Sequence, residues 1–186
     1  EEYLAYTQTY TEENDIYRKA FYNIGQNYAE AGNYDEANGY FKQYVDRFPG
    51  DELSFPLTFR IALNYASTLN LEEAVKYFEQ LYDAAGKDYA DAPTALYNAA
   101  FLRIGMNDYR GAAENFERYS REFPTISDAE SVMFRAGAQW EKIDNTEAIR
   151  FYKRYLSNYQ GTSPDRMMEA YNRIAELTEE SGARAR

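Results

Sequence analysis

The sequence predicts an all-α fold assembled from repeated helix pairs, and three observations predict it. First, four segments carry an alanine followed four residues later by an aromatic ring: Ala37 to Phe41, Ala74 to Phe78, Ala112 to Phe116 and Ala148 to Tyr152. The alanines lie 37, 38 and 36 residues apart, a period that marks stacked supersecondary units. Second, a stretch of helical periodicity precedes each one, with a small residue 12 positions before the alanine (11 in the fourth case): Gly25, Ala62, Ala100 and Gly137. Third, sustained period-two alternation, the mark of half-buried strands, is missing.

The elements follow in order. Residues 1–10 hold Tyr3, Tyr6 and Tyr10, a spacing that recurs inside the later second helices, and read as the end of the second helix of a truncated preceding unit. Residues 15–50 form the first full unit. Asp15 caps a helix to about Ala31 with Phe21, Ile24, Gly25 and Tyr28 on one face, and Gly32 ends it in the left-handed position that glycine tolerates. Asn33 with Glu36 then forms a capping box for the second helix, which Phe48-Pro49-Gly50 stops. Residues 52–90, 92–125 and 127–161 form units two to four. Asn70 with Glu73 and Asp144 with Glu147 start second helices, Ser127 with Glu130 starts a first helix, and Pro93 and Pro164 suit first-turn positions. Residues 163–182, with Tyr171, Ile174, Ala175 and Gly182, match a first helix that no second helix follows. The units read as one continuous solenoid domain.

Composition removes most chemistry. Among 186 residues there is no cysteine and no histidine, which excludes disulfides, thiolate nucleophiles, Cys/His zinc sites and imidazole bases. A net charge of −11 repels phosphate backbones and anionic lipid, so nucleic acid is not an expected partner. No apolar run reaches the roughly 18–20 residues of a membrane span, so direct membrane insertion of these residues is not expected either. Acidic pairs such as Glu12-Glu13, Glu72-Glu73 and Glu179-Glu180 are sequence neighbours, which point about 100° apart on a helix and suit solvated faces. Calcium and phosphate loops are absent. No catalytic, cofactor or metal residue is expected, and the chain does not read as an enzyme.

The tetratricopeptide repeat has the pattern W-x2-L-G-x2-Y, then A-x3-F, then P, over about 34 residues, and the chain resembles that family over nearly its whole length. Unit one offers Phe21, Ile24, Gly25, Tyr28, Gly32, Tyr34, Ala37, Phe41 and Pro49. Unit three offers Leu96, Ala99, Ala100, Tyr109, Ala112, Phe116 and Pro124, with Arg103 where a Tyr is expected. Unit four offers Ala136, Gly137, Trp140, Ala148 and Tyr152 with a turn one residue shorter, whereas unit two departs at Thr58 and Leu69 and lacks the proline. The resemblance implies a right-handed superhelix of antiparallel helix pairs. The small residues would let helices approach closely, and the aromatic four residues after each alanine would fill the gap towards the next unit.

The resemblance also implies where a partner would bind. In the family, first helices line a concave groove, and one exposed place lies three residues before the small position. It holds Tyr22, Phe59, Tyr97, Phe134 and, in the last partial unit, Asn172; one turn later come Gln26, Leu63 and Phe101. Such an aromatic ladder suits an extended peptide or a partner helix, although the same rings could pack between first helices as core. The Lys, Asn and Arg that clamp a C-terminal carboxylate in chaperone-tail-binding members are missing here, so no co-chaperone role is implied. The leading reading is a non-catalytic scaffold for a protein or peptide partner. The alternatives are a spacer or self-association module within a larger protein, which would allow a homo-oligomer, and, ranked lower, a glycan-binding module. The aromatic-rich second helices are similar in style to bacterial cell-envelope members of the family. That likeness implies a periplasmic or outer-membrane-associated location, with the cytoplasm as the alternative.

Overall fold

The computed structural model describes residues 15–159 and 163–184, and the expected second-helix end at residues 1–10 lies outside them. Nine helices and no strand occur among the described residues: α1 (Asp15–Glu30), α2 (Tyr34–Arg47), α3 (Ser54–Ser67), α4 (Leu71–Ala85), α5 (Ala92–Gly105), α6 (Tyr109–Glu122), α7 (Ala129–Trp140), α8 (Asn145–Asn158) and α9 (Pro164–Arg184). The chain forms two compact units, Glu1–Ala95 and Leu96–Arg186.

In the first unit α1 packs on α2, and α3 packs on both α2 and α4. The buried stripe of α1 runs through Tyr17, Ala20, Phe21, Ile24 and Gly25 at spacings of three and four, as an amphipathic helix requires. Gly25 sits under the Phe41 ring: a Cβ there would lie 2.4 Å from Phe41 Cε1. The ring after Ala37, which shares one buried cluster with Leu57 and Ile61 of α3, therefore seats on its own pair as well. Phe78 does the same, meeting Phe59 of α3 edge-on with ring centroids 5.4 Å apart.

The second unit repeats the arrangement. Phe116 of α6 meets Tyr97 at 5.7 Å. In the α7–α8 pair a Cβ on Gly137 would lie 2.6 Å from Tyr152 Cε1. Helix α7 packs between α6 and α8, and α9 packs on α8. Each second helix that ends in an aromatic closes alike. The N–H groups of Phe48, Phe123 and Tyr159 donate to the carbonyls of Tyr44, Tyr119 and Tyr155 at 2.9, 2.9 and 3.0 Å. Their rings lie against those same tyrosines.

The helix starts divide into two kinds. Asp108 accepts from the N–H of Gly111, and Asp144 from those of Thr146 and Glu147, as N-caps do. Asn33 and Asn70 hold the corresponding places without a side-chain hydrogen bond, so the expected capping boxes with Glu36 and Glu73 do not close. Nor does Ser127 cap α7: Asp128 precedes that helix, and Glu130 turns instead to Tyr155 and Arg166.

Three of the turns inside pairs share one geometry. Gly32, Leu69 and Asn107 all have positive φ (78°, 59° and 60°). The N–H of the next residue, Asn33, Asn70 or Asp108, reaches back to the carbonyl of Tyr28, Tyr65 or Arg103 at 2.9 Å in each case, the six-to-one bond of a Schellman motif. The shorter fourth turn closes instead with Ile143 and Asp144 both donating to the Trp140 carbonyl. Leu69 is the poor fit, being 80% exposed in a region where a side chain costs about 1–2 kcal/mol. Leu69→Gly removes that clash and adds unfolded-state entropy of about 0.5–1 kcal/mol, so it should stabilise the chain by up to about 1 kcal/mol in urea denaturation. A loss of stability would contradict this account of the turn.

Candidate functional site

The first helices place the ladder residues at intermediate depth. Tyr22, Gln26, Phe59 and Leu63 in the first unit are half-buried, as are Tyr97 and Phe134 in the second. Only Phe101, 60% exposed, and Asn172 stand clear. The cause is the inward turn of the second-helix rings. Tyr97 lies between Phe116 and Tyr119 (5.7 and 6.2 Å), and Phe134 between Tyr152 and Tyr155 (5.5 and 5.3 Å). The rings thus lean on their own second helices and stay half-buried.

Two further features line these faces. In the first unit, Tyr22 borders an open cleft of about 270 Å³ together with Arg18, Lys19, Tyr44, Asp51 and Leu53. In the second, Arg135 of α7 reaches across to α5, where its Nη1 donates to the Tyr97 hydroxyl at 2.8 Å.

In each unit a polar contact recurs that the sequence did not reveal. In it a carboxylate is shared between an aromatic donor and an arginine from different helices. Asp51 accepts from the Tyr44 hydroxyl at 2.8 Å and from Arg18 at 3.0 Å. Glu130 accepts from Tyr155 and Arg166, Glu141 from Tyr152 and Arg173, and Glu117 from the Trp140 indole and Arg154. Such charge-assisted bonds fix the side chains that support the ladder. The one sequence signal is the tyrosine seven residues after the alanine in Tyr44, Tyr119 and Tyr155; its acceptor falls at a different spacing each time.

The ionisation states follow from these contacts. The N–H of Leu53 lowers the Asp51 pKa most; partial burial opposes that, and Tyr44 and Arg18 reinforce it. Burial pushes Glu141 upward, but the hydrogen bonds from Arg173 and Tyr152 outweigh it and hold the carboxyl below its ordinary value. Asp108 is lowered chiefly by the Gly111 N–H, with Arg103 assisting against partial burial. Burial first, and the neighbouring carboxylate second, raise the hydroxyls of Tyr44, Tyr152 and Tyr155 above the tyrosine range. Among the described residues no group of three or more acidic side chains is placed to hold a metal ion, and no helix is long and apolar enough to cross a membrane.

Family models described as tetratricopeptide repeat match residues 19–51 and 97–163, together more than half of the chain. The chain belongs to the tetratricopeptide repeat family, whose members as a class are protein-interaction scaffolds. Solved structures agree on the fold. A tetratricopeptide repeat protein from Parabacteroides merdae is 13% identical with a TM-score of 0.55, covering 88% of this chain and 60% of its own. MamA is 15% identical with a TM-score of 0.54, covering 90% and 84%, and BtubC from P. vanneervenii 13% identical with a TM-score of 0.51, covering 97% and 79%. No curated protein sequence matches the chain.

The lowered carboxylates set an acid limit. Asp51, Asp108 and Glu141 titrate lower in the folded chain than their ordinary values of 3.8, 3.8 and 4.5. Their stabilisation is therefore complete above about pH 5 and is lost as pH falls through the ordinary values towards the folded ones. Urea midpoints taken between pH 6 and pH 3 should drop over that range, and Asp51→Asn should lower the midpoint at pH 6 while flattening the fall. An unchanged slope in the variant would contradict the assignment.

Proposed function

We propose that the chain is a non-catalytic scaffold that binds an extended peptide or protein segment along its first-helix faces. Tyr22, Gln26, Phe59 and Leu63 would contact the partner in one unit, and Tyr97, Phe101, Phe134 and Asn172 in the other. The observation that carries this reading is Phe101. A large ring 60% exposed one turn after the half-buried Tyr97, on the same helix face, is an anchor without a pocket-filling role in its own pair. Arg135 beside Tyr97 adds a cation that can reach a backbone carbonyl or an acidic side chain of the ligand.

A second reading, that the array is a spacer or self-association module, draws on the same faces. The packing of Phe59, Tyr97 and Phe134 on their own second helices shows that these rings contribute to pair closure whether or not they meet a ligand.

Because truncating Tyr97 or Phe134 removes packing as well as surface, Phe101 is the cleaner probe. Peptides selected from a displayed random library against the full chain should lose on the order of tenfold in affinity for Phe101→Ala, with helicity and urea midpoint unchanged. Selected peptides that bind Phe101→Ala as tightly as the original chain would remove the groove reading and leave the spacer.

A further inference from the structure

In four places an aromatic donor and an arginine converge on a shared carboxylate: Asp51, Glu117, Glu130 and Glu141. Tyr97 and Arg135 bring the same kinds of donor together without one. Arg135 Nη1 donates to the Tyr97 hydroxyl at 2.8 Å, and the guanidinium carbon lies 5.9 Å from the centre of the Tyr97 ring. Arg135 is exposed, and among the described residues no carboxylate pairs with it. Arg47 donates to the Tyr17 hydroxyl in the same way, but Tyr17 is 3% exposed and closed to a ligand.

The two helices that carry the pair are short of acid in a chain with 31 acidic residues. Helix α5 contains no Asp or Glu, and its one charged residue, Arg103, pairs with Asp108. Helix α7 contains only Glu130, which Tyr155 and Arg166 already engage. The Tyr97–Arg135 pair is thus a local positive charge that the chain, at −11 overall, leaves unneutralised.

The donors left over define what fits. With Nη1 on the Tyr97 oxygen, the remaining N–H groups of Arg135 and the hydroxyl hydrogen of Tyr97 are available to donate. Two convergent donors, one of them cationic, match the two oxygens of a carboxylate, and such charge-assisted bonds are about twice as strong as neutral ones. A peptide carbonyl offers one oxygen and no charge. Phe101 stands one turn further along the same face of α5, ready for an apolar neighbour. The net charge of the chain disfavours a polyanion, so the acid would sit among apolar residues.

We infer that Arg135 and Tyr97 set the specificity of the first-helix face by taking the side-chain carboxylate of an Asp or Glu in the bound segment, with an apolar neighbour of that residue against Phe101. The ligand class is an acidic-apolar peptide, and the partner supplies the carboxylate that the other four places draw from the chain itself. This inference rests on the groove reading above and deepens it.

The test selects a displayed random peptide library against the full chain and titrates C-terminally amidated synthetic copies of the selected peptides by fluorescence anisotropy. The selected pool should be enriched in Asp or Glu over the starting library. Arg135→Gln should weaken binding on the order of tenfold, and Tyr97→Phe, which keeps the ring and removes the hydroxyl, severalfold, with helicity unchanged in both. Replacing the peptide's acid by Ala should cost as much as Arg135→Gln, and the two changes together little more than either. Arg110→Gln, which removes the same charge from exposed α6 surface, should leave binding intact. Peptides that lose affinity for Phe101→Ala but show no acid enrichment, or bind Arg135→Gln unchanged, would overturn this inference and leave the groove reading standing. An equal loss with Arg110→Gln would also overturn it, since general charge would then be the cause. Peptides indifferent to both Phe101→Ala and Arg135→Gln would remove both readings.

Discussion

The contact on which the rest depends is a ring seated on a helix that has no side chain beneath it. Phe41 over Gly25 and Tyr152 over Gly137 leave no room for even one added carbon. Alanines at positions 62 and 100 hold the equivalent, fully buried places in the other two pairs. Close approach of the two backbones lets the pair bury a large ring without a cavity, and dense packing of this kind is where a helical unit of about 34 residues finds its cohesion. The half-burial of the ladder is a consequence. Once the second-helix rings turn inward, Phe59, Tyr97 and Phe134 have surfaces to lean on and stay half-buried.

The shared carboxylates explain how an acidic chain keeps its helices together. Four carboxylates, Asp51, Glu117, Glu130 and Glu141, each bridge an aromatic donor on one helix and an arginine on another. Burial alone would expel these charges, but two or more donors per carboxylate offset the loss of water. The many tyrosines thereby acquire a second use. The ring contributes buried area, and the hydroxyl ties its helix to a carboxylate outside that helix.

What could be read from the sequence was whatever repeats at constant spacing. The small position, the alanine, the ring after it and the turn at Gly32 recur with the period of the helix pair, and the structure places each as a member of one motif. Leu69 and Asn107 show that the turn geometry outlasts the loss of glycine, because the six-to-one hydrogen bond holds it. Spacing says which face of a helix a side chain shares, so it placed the rings without showing that Phe41 and Tyr152 seat directly on Gly25 and Gly137. The capping boxes were misread at Asn33, Asn70 and Ser127 because a four-residue pattern takes no account of other partners. Glu130 found Tyr155 and Arg166, distant in sequence and adjacent only after folding. The carboxylate bridges were invisible for the same reason, since each draws on three segments at unequal separations.

A double-mutant cycle on Gly25 and Phe41 tests the central contact most directly. With urea unfolding as the readout, Gly25→Ala should destabilise the original chain by about 1–3 kcal/mol through overpacking. In the background of Phe41→Leu, where the ring is gone, the same change should cost little, giving a coupling well beyond the roughly 0.3–0.5 kcal/mol expected of independent sites. Equal costs in the two backgrounds would mean that the ring does not rest on the glycine, and the account of how each helix pair closes would fail.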